Sequence, residues 1–496
     1  MSSLTLRALN ERGRLPLRAQ LRDPRLIGTE ALAGAVTMLA LVPEVISFAI
    51  IAGVDPVNAL VASVVLALAM SFLGGRPAMV TAAAGSVALV VAPLVHRNGV
   101  EYLLPTVLLA GLVQIVFGLT GLAKLMRFIP RSVMIGFVNA LGIMIFLAQV
   151  NSLIDVPWPV YPLFALTLAI ICLFPRLTKS VPAPLVAIVA VTAITIGFGI
   201  VVPTVGDEGS VTGGLPGITP FGVPLTLDTL VLIAPYALAV AFVGLIETLL
   251  TAKLVDGLTD STSDKKRESW GLGVANLLSG LWGGTAGCAM IGQTVVNVSI
   301  GRGRTRMSTL FAGLFLLVFV ALFSGLMAQI PMVALAAVMM VVAVRAFDLQ
   351  SIRPSVLKRM PRAETAVMVT TVVVVVATSN LAIGVGVGVV LAALLLLRRA
   401  ARSFRVERTL ADGVATYRVR GALFFASAHD LPEDFDYIGD PQHVEIDLTG
   451  APIWDASSVA VLDGIVARYA AEGKTAHVTG LDERSTALHG RLSGHL

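Results

Sequence analysis

From about Leu26 to Leu397 the chain alternates long apolar runs with short polar breaks. A helix needs roughly 20 apolar residues to cross the hydrocarbon core of a bilayer. The runs predict fourteen crossing segments, starting near Leu26, Val57, Pro77, Leu103, Ser132, Val160, Pro182, Leu230, Leu272, Cys288, Met307, Ile330, Glu364 and Ser379. The pieces at Pro77 and Cys288 are short and rich in Gly, Ala and Ser. After Arg398 the pattern changes. Arg398 to Arg408 reads as a basic juxtamembrane run, and the chain from about Thr409 as a small soluble domain. Val414–Val419, Val444–Leu448 and Thr475–Thr479 pattern as strands and Ala456–Ala471 as a helix, so this domain is expected to be α/β. The predicted organisation is an amino-terminal segment (1–25), a membrane domain (26–398, repeats at about 26–202 and 229–398), and a linker with the soluble domain (399–496).

Composition agrees with a polytopic membrane protein. Of 496 residues 56% are apolar and only 14% charged, where a soluble domain carries about 25% charge. The mean hydropathy of +0.87 excludes an ordinary cytosolic enzyme, and its spread along the chain excludes a single-pass receptor. Cys172 and Cys288 lie far apart in apolar stretches and suggest neither a disulfide framework nor a zinc site. Met1–Arg25 is polar and basic, without the apolar core of a signal peptide.

With the amino terminus inside, fourteen spans put nearly all loop cations on the cytoplasmic side. Arg76, Lys124, Arg127, Arg131, Arg176, Lys179, Lys253, Lys265, Lys266, Arg267, Arg302, Arg304, Arg306, Arg345, Arg353, Lys358, Arg359 and Arg362 fall inside, and Arg97 alone falls outside. The net charge of +5 is therefore topology, and no nucleic-acid partner is expected. A multi-pass protein of the plasma or inner membrane is expected, with its carboxy-terminal domain in the cytoplasm.

Seven spans precede the long outside segment Pro203–Asp228 and seven follow it, so the halves are inverted relative to each other. Inverted repeats with interrupted helices at matching places mark secondary transporters. The interruptions fall at the third span of each half, at Val80–Ser86 and Gly283–Ala289. Small residues there permit either extended backbone at mid-membrane or tight helix crossings. In the first case two half-helix amino termini, near Ala84, Gly85 and Ser86 and near Cys288, Ala289 and Met290, form an anion site from free amides and helix dipoles.

Two acids lie inside the first helices of the two halves, Glu44 beside Pro43 and Glu247 with Thr251 four residues on. Intramembrane acids are functional candidates. A buried carboxyl that takes up and releases a proton can couple proton to anion movement. A structural acid, or pairing of Glu247 with Lys253, is the alternative. No ATPase, protease or hydrolase motif occurs in the right context. The chain is thus expected to be no enzyme, to need no cofactor or metal, and to be driven by an ion gradient.

Several stretches resemble the SulP sulfate-permease family: Arg267–Asn276, Gly280–Gly284, Gln293–Asn297, and Leu41–Ala49, where Gln commonly follows the Pro. Val419–Phe425, Asp447–Gly450 and Asp455–Ser458 resemble a STAS domain. The resemblance implies a seven-plus-seven fold with a core of spans one to four and eight to eleven, a gate of the rest, an anion site between spans three and ten, elevator-like motion and a homodimer in membrane lipid. Its members carry sulfate, bicarbonate, chloride or dicarboxylates. In sodium-coupled bicarbonate members a carboxylate and a hydroxyl on span eight join hydroxyls at the starts of spans three and ten. Glu247 and Thr251 match the first pair, but Ala84 and Ile291 stand in place of the others, and Gln293 falls where many members have Arg. This favours the proton over sodium and a resemblance to the bacterial proton–fumarate symporters. In the STAS part Ala456 and Ser458 break the phosphorylated Asp-Ser-Ser-Gly motif in which Ser457 would be the second serine, so a helix cap by Asp455 or Ser457 is expected. The domain is a candidate site for a regulatory partner. An uncoupled exchanger or channel, a nucleobase permease and an anion sensor are the competing readings.

Overall fold

A computed structural model describes residues 23–121, 129–177, 182–207, 217–224, 226–401 and 404–495. Lys124, Arg127, Lys179, most of the amino-terminal segment and part of the long outside segment lie outside the described residues. The chain divides into two compact units, 1–389 and 390–496.

The first unit is helical. Its first half comprises α1 (Pro24–Ala52), α2 (Pro56–Leu73), the strand β1 (Thr81–Ala83), α3 (Gly85–Asn98), α4 (Leu103–Thr120), α5 (Arg131–Val150), α6 (Val160–Leu173) and α7 (Ala183–Phe198). The second comprises α8 (Leu227–Thr259), α9 (Lys265–Leu281), the strand β2 (Gly287–Ala289), α10 (Ile291–Val295, continued by a π-helical turn to Ile300), α11 (Arg306–Met327), α12 (Met332–Ala346), α13 (Arg362–Thr378) and the start of α14 (Leu381–Ala401), within which the boundary between the units falls. Each predicted segment has its helix, with the two short pieces split into strand and half-helix. Seven of the described helices are long and apolar enough to span a bilayer unaided. Shorter α3 and α10 are embedded among the others.

Helices α1–α4 and α8–α11 pack as one bundle, and α5–α7 pack with α12 and α13 as another. Glycines let the bundle backbones approach. A Cβ on Gly273 of α9 would meet the Gly111 carbonyl of α4 at 2.5 Å. Here the small-residue-crossing explanation holds. Helix α1 runs unbroken through Pro43, and Ser47 Oγ donates to the Pro43 carbonyl at 2.8 Å.

In the second unit a four-stranded sheet has the order β3-β4-β5-β6: β3 (Arg405–Ala411), β4 (Val414–Arg420), β5 (His443–Gly450) and β6 (Thr475–Thr479). β3 and β4 form an antiparallel hairpin, and the other two pairings are parallel. Helix α15 (Ala456–Ala471) connects β5 to β6, and α16 (Glu483–Leu492) follows. The run expected to be a basic juxtamembrane linker thus ends as strand β3. The strand is polar and exposed over most of its length, with Val406 packed against the core and Leu410 exposed, so it carries no regular alternation to read. Asp455 caps α15, accepting from the Ser458 amide at 3.0 Å, as expected for a helix cap.

Asp440 organises the core of this unit. It accepts hydrogen bonds from the hydroxyls of Tyr417 at 2.7 Å and Tyr469 at 2.6 Å, and from Arg408 Nε at 2.8 Å. Burial alone would push its carboxyl up, but the Tyr469, Tyr417 and Arg408 donors together hold it below the usual carboxylate range.

Candidate functional site

The two interruptions meet. β1 and β2 pair antiparallel, with Thr81 opposite Ala289, Ala82 opposite Cys288 and Ala83 opposite Gly287. Backbone inside a membrane must find partners in protein, and a two-stranded ladder leaves outer edges open. Side chains close them. Ser63 Oγ accepts from the Ala83 amide at 3.1 Å, and Thr294 Oγ1 from the Val80 amide at 3.0 Å. On the other strand Thr248 Oγ1 accepts from the Ala289 amide at 3.0 Å. Asn276 Oδ1 accepts from the Gly287 amide at 2.8 Å while its Nδ2 donates to the Gly287 carbonyl at 3.2 Å. Asn276 Nδ2 also donates to Gln114 Oε1 at 2.8 Å.

Each strand leads into a half-helix. Ala84 caps α3 and Met290 caps α10, and neither cap bonds through its side chain. The first intrahelical amides are those of Ala88 and Thr294. The amides at Gly85–Val87 and Ile291–Gln293 therefore have no intrahelical acceptor, and two positive dipole ends are offered to the space before them. The second half-helix starts later than the Cys288–Met290 position expected for it. Cys288 and Ala289 are strand residues: Cys288 pairs with Ala82 of β1, and the Ala289 amide and carbonyl are taken by the Thr248 and Thr251 hydroxyls.

That space is a cavity of about 850 Å³ between the two bundles. Ala84, Gly85, Ser86, Met290 and Gln293 line it, as do both acids, Glu44 and Glu247. Cys288, Ala289 and Thr251 do not; they stand behind its wall. Phe48, Phe137, Leu141, Ile145 and Ile291 make the walls largely apolar. Pro175, Pro182 and Arg345, from segments predicted to be cytoplasmic, also line it.

Glu247 is the better-fixed acid. Ser86 Oγ donates to its Oε2, and Cys288 Sγ donates to the same oxygen at 3.0 Å. Lys253 is exposed and is not a partner of Glu247. Thr251 Oγ1 donates to the Glu247 carbonyl at 2.8 Å and the Ala289 carbonyl at 3.1 Å, so its hydroxyl ties α8 to β2. Glu44 has the Gln293 side chain of α10 as a polar neighbour across the same cavity.

Sequence reasoning did not single out Ser63, Gln114, Thr248, Asn276 or Thr294. Their one signal is being polar within apolar spans. It also missed Glu30, fully buried in α1, whose carboxyl accepts from the amides of Arg304 at 2.9 Å and Ser308 at 3.1 Å at the start of α11. Among the described residues no cluster suited to a metal ion occurs.

The fold and site define a multi-pass membrane transporter built on paired broken helices around an anion-compatible cavity. Residues 29–161 and 154–371 match the Sulfate permease family, and 405–488 match the STAS domain. The chain belongs to the sulfate permease family. YbaR of Bacillus subtilis, a protein carrying a provisional sulfate-transporter name, is 46% identical over 93% of this chain and 96% of its own length. The bicarbonate transporter BicA of Synechocystis is 27% identical over 84% of this chain and 82% of its own. Among solved structures, the transmembrane domain of a cyanobacterial BicA matches with a TM-score of 0.64 at 26% identity, covering 75% of this chain and 98% of that one. The murine solute carrier 26 family member A9 anion transporter shares the fold, with a TM-score of 0.82 at 17% identity over 99% of this chain and 91% of that one. This chain is an anion transporter of that family and not an enzyme.

Proposed function

We propose that the protein is a proton-coupled symporter of a small organic anion, a dicarboxylate such as fumarate, working by elevator-like alternating access. The observation that carries this reading is the pair of carboxyls, Glu44 and Glu247, facing one cavity with two free helix amino termini. An anion held there by amides meets two acids, and a proton on an acid removes the repulsion. Substrate and proton then favour each other's binding, which is the thermodynamic requirement for symport.

Two further observations support the proton over sodium. Ala84 and Ile291 bring no hydroxyl to the helix starts, and Thr251 stands behind the cavity wall and not on its lining. Sodium needs oxygen ligands, and this site has few to spare. The apolar walls support a carboxylate with a carbon body over sulfate, whose oxygens all demand donors. Sodium-driven bicarbonate or sulfate transport, the activities in the relatives' names, and uncoupled exchange are the alternatives.

In this reading the amino terminus and STAS domain face the cytoplasm, as the distribution of Lys and Arg supports. Two copies pair in the membrane, and the STAS domain takes a regulatory partner. The test is uptake of labelled fumarate, bicarbonate and sulfate into proteoliposomes under an inward proton or an inward sodium gradient. Proton-driven fumarate uptake is expected. Sodium-driven bicarbonate uptake would overturn the coupling and the substrate together.

A further inference from the structure

Arg345 is the one Lys or Arg among the described residues that line the cavity. It lies in the last turn of α12, in the bundle opposite the anion site, whereas Glu44, Ser86 and Glu247 belong to α1, α3 and α8. Its guanidinium forms no ion pair and no hydrogen bond among the described residues. Five donors in a planar fork are therefore available at the mouth. Everything deeper that carries formal charge is acidic. An anion entering from this side crosses largely apolar walls toward two carboxyls, and Arg345 is the fixed charge on its route that attracts it.

We propose that Arg345 is a positioning residue for anion capture, an outer station that delivers the anion to the helix amino termini from one side of the membrane only. The proposal rests on the cavity being the transport site. It does not depend on which ion drives transport. A cation on one bundle and a binding site on the other are neighbours only while the cavity is open to the Arg345 side. When the bundles move relative to each other the two separate, and the anion leaving on the far side does not feel Arg345. A contact made in one state and not the other biases the anion's affinity by side. Retention of cations near the cytoplasmic ends of helices also explains an arginine here, but that role predicts no effect on substrate affinity.

The test is the half-saturating concentration of labelled fumarate, bicarbonate and sulfate, measured at both membrane faces in right-side-out and inverted vesicles holding the full chain. Arg345→Gln is expected to raise it at the Arg345 face by up to about fivefold, the scale of one solvent-exposed charge pair. Arg345→Glu should raise it further, and Arg345→Lys should restore most of the affinity. The ratio between the two faces should change, and added salt should shrink the difference. Equal rises at both faces, or unchanged affinity at the Arg345 face in Arg345→Glu, would overturn the proposal. Uptake driven by sodium, or by no ion, would defeat the coupling proposed above and leave this sided effect in place.

Discussion

The thiol of Cys288 donates to Glu247 Oε2 at 3.0 Å, from a strand that does not itself reach the cavity. The side chain is fully buried. Cys288 therefore acts on the carboxyl from behind, while Ser86 reaches the same oxygen from the wall. This gives Cys288→Ser and Cys288→Ala different expected outcomes. Serine keeps a donor and should keep the pH profile of uptake near wild type. Alanine removes the donor and should displace the profile. Glu247→Gln should abolish pH-driven net uptake while the protein still reaches the membrane folded. Uptake rates across pH for the three variants check this, and identical profiles for serine and alanine would remove Cys288 from the coupling.

The ladder between β1 and β2 makes a prediction about Asn276. Its side chain satisfies both polar groups of Gly287 and bridges to Gln114. Asn276→Ala leaves a buried amide and carbonyl without partners, at a cost of about 2–4 kcal/mol by typical desolvation penalties. The variant should melt at lower temperature in detergent, and its residual transport should show weakened substrate affinity, because β2 sets where α10 begins. Gly287→Ala should be worse, since its Cβ would run into the Ala82 carbonyl of β1. A Gly287→Ala protein with wild-type melting and uptake would contradict this strand pairing.

How much of this was legible varies with the physics behind each part. The span starts from Leu26 to Ser379 were readable because a bilayer imposes a length on every crossing. The interruptions were readable because extended backbone beside another strand needs small residues, as at Ala82 and Gly287. The same smallness hid the point where strand yields to helix: Cys288 and Ala289 suit either, and the pairing partner that decides lies in the other half of the chain. Ser63, Thr248 and Asn276 were illegible as ladder caps, since each is defined by a backbone group distant in sequence. Arg345 was hidden among the loop cations that set topology. Strand β3 was hidden because an edge strand need not alternate cleanly.

In the STAS unit Asp440 predicts a pH dependence with a definite sign. Its carboxyl is held below the usual range in the fold, and an unfolded aspartate titrates near about 3.9. The stabilisation is therefore fully present above that value and is lost as pH falls through the lower folded one. Asp440→Asn should destabilise this unit by about 2–3 kcal/mol at neutral pH, because Arg408 and two tyrosine hydroxyls lose a buried anionic acceptor. The gap between variant and wild type should close in acid. Denaturant midpoints of residues 404–496 at several pH values measure it, and a gap that persists unchanged at the acid end would show that Asp440 does not stabilise through its charge.

Gln293 and Glu44 allow the most direct test of coupling. The Gln293 amide on α10 neighbours the Glu44 carboxyl on α1 at the cavity wall. Substituting Gln293→Arg sets a permanent cation beside an acid that otherwise awaits a proton. Anion binding needs a neutralised acid, and a guanidinium supplies that neutralisation at every pH. The variant should thus take up substrate with a flattened pH dependence and fail to concentrate it on a proton gradient, while exchange of internal for external substrate survives. Glu44→Gln removes the charge without adding one and should give the same flattening with the donor geometry nearly kept. Net uptake and exchange measured side by side separate loss of coupling from loss of binding. If Gln293→Arg still concentrates substrate on a proton gradient as wild type does, Glu44 is not the group whose proton travels with the anion, and Glu247 must carry the coupling alone.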